Sequence, residues 1–202
     1  MNRQRWMGVG MLALGLATSA QAASPARLLQ SPVLSATHLA FVSGGDLWVA
    51  ARGGGKALRL TTGVGIEQAP SFSPDGQTIA FTGEYDGNTD VFTVPVAGGV
   101  PKRLTFHPAG DAAVGWTPDG ARVIFRSNRD SASRYTRLWE VSTNGGAASA
   151  LPLPIASAGM MSPDGKSIAY TPQEQGFSFN HTRYTAWGNY RGGLRARCGS
   201  RN

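Results

Sequence analysis

The chain has 202 residues, 41% of them hydrophobic, with a formal net charge of +7. The excess positive charge lies at the two ends, because the 12 basic and 12 acidic residues between positions 23 and 182 cancel. The body of the chain therefore gives no support for nucleic-acid binding, and the single cysteine, Cys198, excludes an internal disulfide.

Residues 1–22 are predicted to form a cleaved secretory signal peptide. Arg3 and Arg5 precede an apolar stretch at 6–17, and Ala20 and Ala22 have the small side chains that a signal peptidase requires. The apolar stretch is too short to span a bilayer, and no later segment resembles a transmembrane run. We expect an exported protein, periplasmic or secreted, that is cleaved after Ala22 and is not membrane-spanning.

The remainder of the chain contains a sequence repeat. SFSPDGQTIAF (71–81) recurs as GWTPDGARVIF (115–125) and MMSPDGKSIAY (160–170), so that Asp75, Asp119 and Asp164 lie 44 and then 45 residues apart. A fixed period of this length indicates a repeat architecture. The proline presets a turn, the aspartate accepts hydrogen bonds from nearby amides and the glycine takes a positive φ, so the motif predicts a structural turn.

Each copy contains short runs rich in β-branched and aromatic residues, separated by turn residues. Four strands in about 44 residues are typical of a β-propeller blade. We therefore predict an all-β fold, an incomplete β-propeller in residues 23–193 with about three and a half four-stranded blades. The blades are placed at about 36–62, 67–106, 111–154 and 157–193, the last being incomplete and the first supplying three recognisable strands.

An aromatic residue recurs in one strand of each copy, as Trp48, Phe92 and Trp139. A ligand platform would also use aromatic rings, but large apolar side chains at a repeated strand position are typical of a core. We expect these three rings to pack between blades.

A calcium loop is the one metal site that the sequence suggests, in GEYDGNTD at 83–90. Asp86, Asn88 and Asp90 match the start of such a loop. Val91 stands where the loop needs glycine, however, and Ala97 stands where it needs a bidentate glutamate. A hairpin turn is the better interpretation.

No catalytic, cofactor-binding or metal-binding residue is predicted. His38, His107 and His181 have no cysteine or second histidine at metal-ligand spacing. His107, which precedes Pro108, is expected to cap a turn or lie at the surface. The serines do not occur in a nucleophile-elbow pattern, so no hydrolytic centre is expected in this chain.

Two longer segments carry a resemblance to a known family. GEYDGN followed by GWTPDG, within 81–127, and LPLP at 151–154 closely resemble the amino-terminal β-propeller of bacterial tricorn-type serine proteases. The resemblance covers about 36–193 and implies part of a six-bladed ring. The SPDG motif alone is less specific, because it also occurs in the periplasmic propeller TolB and in propellers of prolyl oligopeptidase-like enzymes.

The resemblance implies a role in peptide substrate access and assembly, not bond cleavage. The family are hydrolases that carry out proteolysis, but their catalytic residues lie beyond the matched segment and none is carried over. Peptides, other proteins and the remainder of the protease are the implied partners, and no cofactor is implied. The alternative is a non-enzymatic, TolB-like periplasmic propeller that serves as a protein-binding scaffold.

The resemblance ends at AWGNYRGG, residues 186–193. Residues 194–202, LRARCGSRN, have three charged side chains, all arginine, and no strand-like apolar pattern. We interpret this segment as an aberrant basic tail, out of frame or truncated relative to the family.

Overall fold

The computed structural model describes residues 28–131, 135–173 and 197–200, the last range as backbone only. These residues form fifteen strands in four antiparallel sheets. No helix occurs among them, and hence none long and apolar enough to cross a membrane. The predicted all-β, open propeller-like fold is confirmed.

The four sheets follow one another along the chain as four blades. Blade 1 contains β1 (Gln30–Leu34), β2 (His38–Ser43), β3 (Asp46–Ala51) and β4 (Leu58–Arg59). Blade 2 contains β5 (Ile66–Phe72), β6 (Thr78–Tyr85), β7 (Asn88–Pro95) and β8 (Lys102–Arg103). Blade 3 contains β9 (Asp111–Trp116), β10 (Arg122–Ser127), β11 (Arg137–Ser142) and β12 (Ser149–Ala150). Blade 4 contains β13 (Ala156–Met161), β14 (Ser167–Pro172) and β15 (Arg197–Ser200). Within each blade the strands pair in chain order.

Two strands differ from the sequence-based expectation. Blade 1 begins at Gln30 and has four strands, because β1 precedes the predicted start near residue 36. Its sequence, QSPVL, contains a proline and is mostly exposed, so it lacks the apolar alternation that identifies a strand. Residues 194–202, where no strand pattern was found, contribute β15, which pairs with β14 at the sheet edge. Pairing at an edge uses backbone groups and needs no apolar pattern.

The repeated SPDG motif forms the turn that joins the first two strands of blades 2, 3 and 4. In blade 2, Asp75 Oδ1 accepts hydrogen bonds from Ser73 Oγ (2.5 Å) and from the Gln77 amide (3.1 Å). The same bonds occur at Asp119 and at Asp164, and the three glycines have φ between +69° and +71°. The hydroxyl hydrogen bond, followed by the amide bond, lowers the pKa of all three aspartates. The predicted structural turn is confirmed.

These turns also contact one another. A Cβ added to Gly120 would lie 3.5 Å from Cδ of Pro74, and one added to Gly165 would lie 4.0 Å from Cγ of Pro118. The proline of one turn thus packs on the glycine of the next, so the motif shapes the contact between blades as well as the turn.

The hydrophobic core is divided among the three junctions between neighbouring blades. Ile79 and Phe81 face blade 1, whereas Ala80 between them faces blade 3. The first junction packs blade 1 on blade 2 through Ala40, Leu47, Val49, Leu60, Ile79, Phe81, Phe92, Val94 and Val96. The second joins blades 2 and 3 through Ala80, Val91, Leu104, Ala113, Val123, Phe125, Trp139 and Val141. The third joins blades 3 and 4 through Ile124, Leu138, Leu151, Ala156 and Ile168.

The expectation for the recurrent aromatic position holds for two of its three members. Phe92 and Trp139 are 8% and 7% exposed and belong to the first and second junctions. Trp48 is only half-buried and belongs to neither, because it lies on the face of blade 1 turned away from blade 2. Its Nε1 donates to the Ser43 carbonyl (3.1 Å), and the Arg59 guanidinium lies 6.0 Å from its ring.

Truncating a ring in a junction is expected to destabilise the propeller strongly. Phe81 is fully buried and stacks on Phe92 with 5.6 Å between ring centroids. Phe81→Ala should lower the free energy of unfolding by about 3 to 5 kcal/mol, measured by urea denaturation. Phe106→Ala, at a ring that is 71% exposed, is the control and should change it by no more than about 1 kcal/mol, the cost of losing its exposed contact with the Arg103 guanidinium. Equal effects of the two substitutions would contradict this arrangement of the core.

Candidate functional site: the wall formed by the inner strands

The first strand of each blade lies on the inner side of the propeller. Strand β1 contacts β5, β5 contacts β9, and β9 contacts β13, so these four strands form a continuous wall. The short strands β4, β8 and β12 lie at the opposite edge of their sheets. In a propeller the innermost strands surround the central channel. This inner wall is the surface of the fold that a ligand in the channel would meet.

The inner wall exposes no charged side chain in the strands that form it. Its four strands contain only two charged residues, Glu67 and Asp111, and both are 0% exposed. The side chains that remain accessible are uncharged: small, amide or thioether groups such as Gln30, Gln68 and Met160, and the aliphatic Leu34 and Ile66, which are 62% and 50% exposed. The wall therefore presents a neutral surface.

Each strand of the inner wall is interrupted by a register shift against its neighbour. The shifts lie at Gln30/Val33 in β1 and Gln68/Ser71 in β5, and corresponding shifts occur in β9 and β13. In the first two, Ser31 and Ala69 have φ of +49° and precede a proline. A bulge leaves backbone groups outside the ladder, and a positive φ strains a residue with a Cβ. Both bulges have a similar sequence, Gln-Ser-Pro at 30–32 and Gln-Ala-Pro at 68–70. This similarity could have predicted them but was not recognised in the sequence.

The two buried acids of the wall tie their strands to the neighbouring hairpin. Asp111 Oδ2 lies 2.5 Å from Arg129 Nη2, whose guanidinium is 5.0 Å from the ring centroids of Phe125 and Trp139. Glu67 Oε1 accepts a hydrogen bond from the Tyr85 hydroxyl. Each acid has one carboxylate oxygen held by the neighbouring hairpin, and both side chains are 0% exposed, so neither is accessible to a ligand.

The acidic segment of blade 2 forms a hairpin, as predicted. Asp86 and Gly87, with φ of +54° and +78°, are the two central residues of a turn between the paired Tyr85 and Asn88. Positive φ at both positions is the mark of a type I′ turn. Asp90 Oδ2 lies 2.5 Å from Arg103 Nη2, so this carboxylate is paired within the blade. No group of three or more potential metal ligands occurs among the described residues.

The histidines also have local roles where they are described. His107 Nδ1 accepts a hydrogen bond from the Ala109 amide (3.0 Å), which is the predicted capping role. His38 Nδ1 lies 2.8 Å from Thr37 Oγ1 at the start of β2. His181 lies outside the described residues.

Most of the chain matches the model of a defined protein family. Residues 26–200 match the model of the tricorn protease N-terminal β-propeller domain. The chain belongs to this family. The match includes most of the segment that the sequence analysis set apart as a tail.

The chain spans only 15% and 12% of two tricorn protease homologs from Streptomyces coelicolor, but 81% of a putative tricorn-like protease N-terminal subunit from Sulfurisphaera tokodaii, to which it is 27% identical over 169 residues. The chain is 33% identical over 181 residues to a putative tricorn protease homolog 2 from Streptomyces coelicolor, covering 84% of this chain and 15% of that one. The crystal structure of the tricorn protease superposes with a TM-score of 0.64 at 24% identity, over 85% of this chain and 17% of that one. TolB from Acinetobacter baumannii superposes with a TM-score of 0.63 at 27% identity, over 74% of this chain and 39% of that one.

The strain in the inner wall makes a testable prediction at Ala69. Ala69→Gly should raise the free energy of unfolding by roughly 1 kcal/mol, because glycine adopts a positive φ without the clash of a Cβ. Ala112→Gly is the matched control in the neighbouring inner strand, where φ is not positive, and should lower it by about 0.5 to 1 kcal/mol. Urea denaturation of both variants measures the difference. A loss of stability in both would mean that Ala69 is not strained.

Proposed function

We propose that this propeller contributes the peptide-access wall of a tricorn-like serine peptidase and does not itself cleave peptides. The observation that carries the proposal is the neutral inner wall, whose two acids are buried and whose strands are bulged. A neutral wall admits peptides without selecting for charge. Backbone groups left out of the ladder at the bulges can hydrogen-bond to an extended peptide, as in other modes of strand recognition.

A protein-binding scaffold of the TolB type is the second candidate. It is favoured by the superposition on TolB at 27% identity, slightly above the identity to the tricorn protease. A scaffold would bind a folded partner on its blade loops, whereas a peptide-access wall would bind extended segments along its inner strands. The two candidates therefore differ in which face responds to substitution.

Introducing a charge into the inner wall should change peptide binding selectively. Gln68 is exposed on β5, and Gln68→Glu adds a negative charge with little change in shape. Its affinity for an extended acidic peptide should fall by roughly fivefold, about 1 kcal/mol, while affinity for a neutral peptide is nearly unchanged. Fluorescence anisotropy with labelled decapeptides measures both, and mass spectrometry should show the peptides uncleaved.

Asn144→Asp is the matched control for that experiment. Asn144 is exposed on the β11–β12 hairpin, away from the inner strands, and the change is again amide to acid. It should leave both affinities unchanged. If the two variants behave alike, or if only a folded protein partner binds, the scaffold function replaces the peptide-access function.

Export is part of the proposal and has its own test. If residues 1–22 are a signal peptide, the protein recovered outside the cytoplasm begins at Ala23. Intact-mass measurement of the extracytoplasmic fraction should therefore give a chain 22 residues shorter than the translated sequence. Recovery of the uncleaved chain in the cytoplasm alone would overturn this part of the proposal.

A further inference from the structure

The junctions on the two sides of blade 2 contain an acid at equivalent positions, but only one of the two acids has a cation. Glu67 pairs across the sheet with Gly83, and Asp111 pairs with Ser127. Tyr85, two residues after Gly83, donates a hydrogen bond to Glu67. Arg129, two residues after Ser127, forms an ion pair with Asp111. The second junction therefore has an ion pair where the first has a carboxyl group and a phenol.

Glu67 is enclosed without a positive partner. Its side chain is 0% exposed, and its Oε2 has no hydrogen-bond partner. The Tyr85 ring that covers it packs directly against the backbone of Gly65 and Gly83. The packing is so close that a Cβ added to either glycine would lie 2.5 Å from a ring carbon, so the ring is fixed in place. The ring also packs edge-on against Phe92, with 5.0 Å between centroids. The carboxyl group cannot turn out to solvent without opening this packing.

Among the described elements, the charged group nearest to Glu67 is another acid, Asp46, and no unpaired cation lies beside it. Asp46 approaches from β3, with its Oδ1 also unpartnered, while its Oδ2 is held by Arg59 of β4 at 2.6 Å. Tyr85 approaches from β6 and the Thr61 hydroxyl from the segment after β4. Of the other strands that contact β5, β1 has no titratable residue, β2 has only His38 at its far end, and β9 has Asp111, which is paired with Arg129.

The electrostatic balance at Glu67 favours its neutral form. Burial is the main cause that raises the pKa of Glu67, and the charge of Asp46 raises it further. The hydrogen bond from the Tyr85 hydroxyl and the nearby Thr61 hydroxyl lower the pKa of Glu67 but do not offset the burial. Burial and the contact with Glu67 also raise the pKa of Tyr85, so the phenol remains a donor.

We propose that the junction between blades 1 and 2 is a proton-controlled joint. Glu67 carries a proton when the joint is closed, and loss of that proton places a second negative charge beside Asp46 and loosens blade 1 from blade 2. The joint acts where β5 meets the β2–β3 turn of blade 1, at the hydrogen bond from the Glu67 amide to the Gly45 carbonyl (2.8 Å), whatever the inner wall binds. At the next junction the corresponding acid, Asp111, is held by an ion pair with Arg129 instead.

The direction of the pH dependence follows from the raised pKa. The unfolded chain releases the proton of Glu67 at the ordinary glutamate value, about 4.3, whereas the folded chain retains it. Stability from this group is therefore complete below that value and is lost as the pH rises through the higher folded value. Across that window the unfolding equilibrium constant should increase by up to about tenfold per pH unit.

Urea denaturation of the full chain between about pH 4.5 and pH 8 tests the joint. Glu67→Gln keeps an acceptor for Tyr85 but cannot titrate, so it should remove the loss of stability with rising pH. Asp111→Asn is the matched control: it breaks the Arg129 ion pair and lowers stability, but should keep the pH dependence of the wild type. If Glu67→Gln retains the same pH dependence as the wild type, the proposal is wrong.

A second measurement uses the wild-type chain and does not require that variant to fold. The chain has four glutamates, at positions 67, 84, 140 and 174, so labelling with 13Cδ-glutamate gives four carboxyl signals. The signal of Glu67 should titrate above the ordinary glutamate range, because burial raises the pKa of this carboxyl group. Substituting each of the other glutamates in turn assigns that signal to Glu67. Four signals that titrate together in the ordinary range would overturn the proposal.

Discussion

The constraint on which this fold depends is that each blade must bury both faces of its sheet. Strand periodicity sends successive side chains to opposite faces, so Phe81 packs toward blade 1 while Ala80 packs toward blade 3. No blade has a core of its own, because the buried side chains lie between blades. At about 25 cal/mol per Å² of apolar area, the fully buried rings of Phe81 and Phe125 make the junctions, not the individual sheets, the main source of stability.

This arrangement explains why the sequence predicts the propeller well and its first blade poorly. The SPDG turn depends on side-chain hydrogen bonds between residues at most five positions apart, such as those among Ser73, Asp75 and Thr78. A turn of this kind can therefore be predicted from the local sequence. The all-β repeat follows from its period. The pairing of β1 and the half-burial of Trp48 depend on which strands and blades lie beside them. The local sequence does not specify these neighbours.

The polar groups at the junctions show a second limit of sequence reasoning. Asp90 resembles a calcium ligand in the sequence, yet Arg103, thirteen residues away, pairs with it. Glu67 looks like an ordinary surface glutamate, but it is buried under Tyr85, whose ring packs against two glycines. In both cases the partner comes from another strand. The chemistry of such a residue is therefore set by the register of the sheet, which a single sequence does not give.

The inner strands contribute side chains both to the junctions between blades and to the inner wall. One face of β5 inserts Glu67 between blades, while Gln68 next to it is exposed on the inner wall. Alternation therefore places acids in the joints and leaves the wall neutral. A change that loosens the joint at Glu67 would act directly on a strand of the inner wall, because the same backbone carries both side chains. The proposed peptide access and the proposed closure of blade 1 on blade 2 would then depend on a single strand, β5.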